Sequence, residues 1–170
     1  MLISNNKYLL KIFSVPHLIV QSVCSTGIKA EDSKEYISFS SAVFDFLQKE
    51  NTSLEARVEY HGPEFTWVVK PLTGLMTNTD GAIYFYGGVV FDIPLLSFLF
   101  LSPSLALGIY YTSESKELNF IFDFHTQIEL ALLLNNDLRV GISFNHVSNA
   151  GLGPPNSGVE SIGISYFFPF

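Results

Sequence analysis

The sequence predicts an all-β fold, an eight-stranded antiparallel transmembrane β-barrel of the outer-membrane type. Three observations carry this reading. Apolar and polar residues alternate with a period of two from about Tyr36 to the last residue. The apolar faces are long and rich in large aromatics, while the polar faces hold matched charges such as Glu55, Arg57 and Glu59. The chain also ends in "YFFPF", with Tyr166, Phe168 and Phe170 two apart on one face.

The clearest segments justify the strands. "LEARVEY" sets Leu54, Ala56, Val58 and Tyr60 against Glu55, Arg57 and Glu59. "LNFIFDFHTQIELALL" sets Leu118, Phe120, Phe122, Phe124, Ile128, Leu130 and Leu132 against Asn119, Asp123, His125, Gln127 and Glu129. "LRVGISFNHVS" sets Leu138, Val140, Ile142 and Phe144 against Arg139, Gly141, Ser143 and Asn145. In a soluble sandwich the apolar face would be the core. Here the inverse fits better: the apolar band meets lipid and the polar residues fill a narrow interior. Backbone groups facing lipid must be paired within the sheet, which forces closure. The expected strands are 36–48, 53–61, 64–76, 82–92, 96–111, 119–134, 137–148 and 159–169. Eight strands leave room for side chains and no pore.

The long apolar stretch Phe91–Tyr111 contains Pro94 and Pro103 and reads as an inner turn plus a strand, not a membrane helix. Charged residues make up only 15% of the chain, against about 25% in soluble domains. A net charge of -7 excludes the basic stripe of a nucleic-acid binder. A single cysteine, Cys24, excludes an internal disulfide or a cysteine metal cluster.

Residues 1–30 differ from the rest and resemble a secretory signal, with Lys7 and Lys11 ahead of an apolar run and a cut expected after Ala30. Removal would leave residues 31–170 with six basic and sixteen acidic residues, a net -10. Barrels of this type keep both termini in the periplasm. Inner turns are then expected near 61–63, 92–95 and 135–136, and outer loops near 49–52, 77–81, 112–118 and 149–158, the last being the longest.

That longest loop lies within "HVSNAGLGPPNSGVE". The lipid-facing parity of Ile142 and Phe144 continues into His146 and Ser148. The parity of Ile162 to Phe170 includes Glu160. Three polar residues therefore share the outer wall at adjacent strand ends. A serine hydroxyl needs a base to become a nucleophile, and a carboxylate can orient that base and stabilise the imidazolium. Ser148 would attack an ester, His146 would act as base then acid, and Glu160 would hold the imidazole. Asn149, Asn156 and the Gly151 amide are the nearby candidates for the oxyanion donors, with turn chemistry as their other reading. His125, of opposite parity, belongs to the interior, and His17 and His61 show no partner pattern.

This stretch resembles the signature of the lipid A 3-O-deacylase (PagL) family: histidine, any residue, Ser-Asn-Ala, then Pro-Asn, Gly and Glu. The likeness is strongest over 137–170. It implies a Ser148–His146–Glu160 triad on the outer barrel wall, with Asn156 and either Asn149 or Gly151 in the oxyanion hole. It also implies a Gram-negative outer-membrane esterase that removes the acyl chain at position 3 of lipid A from the outer leaflet. The implied partners are lipopolysaccharide and outer-membrane lipids, with no nucleic acid, no cofactor and no metal. Lys116 is an outer-loop candidate for contact with this anionic lipid. A phospholipase-type esterase and a non-enzymatic adhesion barrel are the alternatives, and a homodimer is left open.

Overall fold

The computed structural model describes residues 34–118, 120–153 and 158–170, so the expected signal segment and Asn156 lie outside the described residues. Among the described residues nine strands form: β1 (Tyr36–Phe44), β2 (Ser53–His61), β3 (Val69–Asn78), β4 (Ile83–Phe91), β5 (Ile93–Leu96), β6 (Leu99–Tyr111), β7 (Phe122–Leu133), β8 (Arg139–Ser148) and β9 (Val159–Pro169). They pair in the order β4-β3-β2-β1-β9-β8-β7-β6-β5, and an additional β4–β6 ladder closes the ring. Every ladder is antiparallel. Because β5 continues β4 beyond Asp92, the wall is an eight-stranded barrel, as expected.

Boundaries shift for local reasons. The turn expected at 92–95 moves to Ser97 and Phe98, because β5 folds back on β6 through Ile93↔Leu101 and Pro94↔Phe100. Asp92 breaks the strand, its carboxylate held inward by Arg139 Nη1 at 2.7 Å and Lys70 Nζ at 3.1 Å. β3 begins at Val69 instead of 64, after a connection in which Trp67 takes a φ of 49°. The inner turn expected at 135–136 is a short 3-10 segment, Asn135–Asp137. β7 starts only at Phe122, so Leu118 is freed from its parity. It turns into the interior, at 1% exposure, instead of facing lipid.

The alternation is literal: β1 reads buried, exposed, buried through all nine residues. One half of the interior is polar, as expected. Arg57 lies at its centre, 3.3 Å from Glu55 Oε1, donating to Ser143 Oγ at 3.2 Å and to Gln127 Oε1. Ser161 donates to Glu55 at 2.6 Å, Ser165 to Glu129 at 3.0 Å and Tyr86 to Glu59 at 2.7 Å. The other half is apolar and aromatic, contrary to a fully polar interior. Leu72 and Met76 of β3 meet Tyr84, Tyr86 and Val90 of β4 and Ala106 and Tyr110 of β6. These large side chains fill volume that short polar ones could not. Gly74 makes this possible, since a Cβ there would sit 2.4 Å from Tyr86 Cζ. Tyr86 stacks on His125, 4.6 Å between centroids, which places His125 inside as expected. His61 does have partners: Glu59 at 3.7 Å and the edge of Phe167.

Outside, Phe39, Leu54, Phe85, Ile128 and Ile142 are each at least half exposed. An apolar belt of this extent is untenable in water but suits hydrocarbon. Phe65 and Trp67 stand exposed at the inner rim, where aromatics anchor barrels at the interface. Among the described residues no helix is long and apolar enough to cross a membrane; the crossing elements are strands.

Removing one partner of a buried charge network leaves the others uncompensated, at about 3–5 kcal/mol. Arg57→Ala should therefore lower stability by about that amount. Urea titration of the detergent-folded barrel, followed by its heat-modifiable electrophoretic mobility, measures this; an unchanged midpoint would mean the network does not hold the interior.

Candidate active site

β8 and β9 carry the site, and their register builds it. Ile142 faces Ile164, Phe144 faces Ile162, and His146 faces Glu160. All six point outward, so a wall that is greasy for two rungs turns polar at the third. His146 Nδ1 lies 2.9 Å from Glu160 Oε1, with side-chain exposures of 39% and 14%. A carboxylate can only accept, so the pairing assigns the proton to Nδ1 and leaves the Nε2 lone pair available. Glu160 Oε2 is buried without a hydrogen-bond partner among the described residues. On the other flank Thr126 of β7 pairs with His146, its hydroxyl 3.4 Å from the His146 carbonyl oxygen.

Ser148 ends β8, opposite Phe124, and is only 8% exposed. It shares the face of His146 two residues on, about 7 Å away at Cα. Among the described residues no hydrogen bond joins its Oγ to the imidazole, so that link requires the hydroxyl to turn toward Nε2. Catalytic hydrogen bonds often tighten only with substrate bound.

Asn149 has the inward parity and is fully buried. Its Nδ2 donates to the carbonyls of Leu118 at 3.0 Å and Gly153 at 3.1 Å, and its Oδ1 accepts the Gly151 N–H at 2.9 Å. Ala150 (φ 51°) and Gly151 (φ 79°) take left-handed conformations, which turn the chain sharply just after Ser148. The Asn149 side chain and the Gly151 N–H are thus engaged with the loop itself. Ser148, His146 and Glu160 share one patch of wall; Asn149 braces that patch from inside.

Comparison with known proteins identifies the family of the chain. The family model described as lipid A 3-O-deacylase (PagL) matches residues 50–169. The chain belongs to that family. A lipid A deacylase PagL of Bordetella bronchiseptica is 34% identical over 55 residues, covering 32% of this chain and 31% of that protein. The matched stretch thus spans about a third of that relative's length. A crystal structure of the outer membrane enzyme PagL superposes with a TM-score of 0.62 at 19% identity, covering 79% of this chain and 99% of that one. The outer membrane protein Ail of Yersinia pestis shares the fold at a TM-score of 0.51 and 14% identity, covering 80% and 99%.

This PagL-family chain also has a brace that the sequence did not signal. Phe44 and Asp45 both turn inward, breaking the alternation at the end of β1. Asp45 accepts the N–H groups of Glu50 at 2.7 Å and Asn51 at 2.8 Å, and pairs with Lys116 Nζ at 3.1 Å. Lys116, expected to meet anionic lipid, is therefore drawn inward and is 7% exposed. The braced loop reaches the site: the Phe46 N–H donates to the Glu160 carbonyl at 2.9 Å. Burial pushes the Asp45 carboxyl up, but the Asn51 N–H, Lys116 and the Glu50 N–H outweigh it and hold it below the usual carboxylate range.

Because that folded value is depressed, its stabilisation is complete above the free value of about 3.9 and is lost as pH falls through the folded value. Hydrogen exchange at the Glu50 and Asn51 amides should therefore quicken, relative to intrinsic rates, only below about pH 4. Asp45→Asn should quicken it about tenfold or more at neutral pH. Equal protection in the variant would remove the carboxylate's role.

Proposed function

We propose that this barrel is an outer-membrane esterase that removes the acyl chain ester-linked at position 3 of lipid A. Ser148 is the nucleophile, His146 the general base and acid, and Glu160 the orienting carboxylate. The observation that carries the reading is the 2.9 Å His146–Glu160 pair on the lipid-facing wall, two residues below a serine of the same parity. A soluble serine hydrolase sites its triad in a cleft. Here the triad faces the acyl chains of the outer leaflet, and Phe144 and Ile142 continue the same face into the membrane as a surface for the chain.

In the first half-reaction the Ser148 oxygen bonds to the ester carbonyl carbon while His146 Nε2 takes the hydroxyl proton. Glu160 stabilises the resulting imidazolium. The tetrahedral intermediate collapses as the bond to the sugar oxygen breaks, and Nε2 returns the proton to that oxygen, freeing the 3-hydroxyl. In the second half-reaction water gives a proton to Nε2 and attacks the acyl-serine. The second tetrahedral intermediate collapses as the bond to Ser148 Oγ breaks, Nε2 returns the proton to that oxygen, and the fatty acid leaves with the Ser148 hydroxyl restored. No step requires a metal or a redox partner. Each intermediate carries an oxyanion, and loss of one donor to such a charge typically costs about 3 kcal/mol. Asn156 is the proposed side-chain donor. Gly151 serves as the second only if its N–H leaves Asn149 Oδ1; the Asn149 side chain acts through the loop it holds.

Mass spectrometry of lipid A from cells expressing the protein is the test. The expected result is loss of one 3-position acyl chain with the wild-type chain and intact lipid A with Ser148→Ala. His146→Ala should slow deacylation about 10²–10⁴-fold. Intact lipid A with the wild-type chain, or release of acyl chains from phospholipid instead, would overturn the lipid A assignment.

A further inference from the structure

The geometry points to Gly158 as a positioning residue that sets the imidazole of His146 between Glu160 and Ser148. This rests on the esterase reading above, and the space around Gly158 and its place in the ladder support it. A Cβ built on Gly158 would lie 2.5 Å from His146 Cε1, 3.2 Å from Nε2 and 3.4 Å from Nδ1. The ring already occupies the space that any side chain at 158 would need. The left-handed glycines among the described residues are Gly81 and Gly151, and Gly158 is not one of them. Among the described residues, the obstacle to a side chain at 158 is the imidazole.

The register explains why the slot falls at this position. His146 pairs with Glu160 and Val147 with Val159, so the next step along the same ladder sets Gly158 across from Ser148. Down the outward face of β9 the residues are Gly158, Glu160, Ile162, Ile164 and Tyr166. The side chain disappears at the rung where the base must reach its nucleophile. The strand end is tied to the β1–β2 loop, which opposes a retreat that would make room. Gln48 Nε2 donates to the Gly158 carbonyl at 3.4 Å, and the Phe46 N–H donates to the Glu160 carbonyl at 2.9 Å. A methyl group at 158 must therefore displace the ring by roughly 1 Å to restore ordinary contact. That displacement takes Nδ1 out of hydrogen-bond range of Glu160, and a misplacement of about 1 Å costs on the order of 10²-fold in rate.

The test uses the full barrel in detergent micelles, with the folded fraction counted by heat-modifiable mobility. Gly158→Ala should lower kcat about 10²-fold with KM little changed. In the NMR spectrum of the ¹⁵N-labelled ring, the Nδ1–H signal of the Glu160-bonded tautomer should be lost. In a His146→Ala background, Gly158→Ala should add nothing to the loss of activity or stability, since the ring it would meet is gone. Wild-type kcat and an unchanged Nδ1–H signal in folded Gly158→Ala would overturn the inference. If the single variant does not fold, folding of the double variant supports a clash with the ring, and failure of both assigns the glycine to the backbone and overturns it. The ring signal answers separately from the chemistry: a wild-type chain that leaves lipid A intact defeats the esterase reading, while the Nδ1–H comparison still decides the role of Gly158.

Discussion

A strand wall in hydrocarbon has no water to satisfy its backbone, so each N–H and C=O must find a partner in the neighbouring strand. Everything else in this molecule follows from that constraint. It forces the sheet to close through the β4–β6 ladder, and it fixes a register that a slip of one residue would turn inside out. Once the register is fixed, each side chain has one destination. Arg57 and its carboxylates go inward, and Phe39 or Ile142 go to lipid.

The same register assembles the proposed active site. His146 and Glu160 are 14 residues apart in sequence yet directly opposed across a ladder, and neither depends on a flexible loop for its position. Their inward neighbours hold the strand ends. Val147 and Val159 are buried in the apolar half of the interior, and Asn149 binds the start of the following loop to Leu118. The inward residues of β8 and β9 thus act as anchors for the outward residues beside them. A charged group on the outer wall carries a penalty that falls to about 0–1 kcal/mol near the interface. That is why such a site is tolerable at the rim and would be costly at mid-membrane.

Strand content and parity were legible because alternation over nine or more residues has few competing explanations. His125, Arg57, His146 and Glu160 could all be assigned to a face from sequence. What escaped depended on where the alternation stops. Leu118 read as lipid-facing until β7 proved to begin at Phe122. Asp45 and Lys116 form their pair because Phe44 and Asp45 both face inward, and such a break leaves no periodic trace. Asp92 looked like a turn residue but is an anchor for Lys70 and Arg139, charges brought together only by closure. The interior composition was half legible, since tyrosines such as Tyr84 and Tyr86 count equally well as lipid-facing aromatics until the register is known. Gly158 in a glycine-rich segment looks like turn chemistry, and only the ring of His146 beside it gives it another meaning.

The central claim is that the outward serine at the end of β8 is an activated nucleophile. A fluorophosphonate carrying a long alkyl chain tests it most directly, because it bonds covalently only to a serine whose proton a base can remove. With the purified barrel in detergent, intact-protein mass spectrometry should show a single adduct. Peptide mapping should place it on Ser148, and His146→Ala should abolish it. An adduct on another residue, or an unlabelled barrel that still deacylates lipid A, would contradict the account.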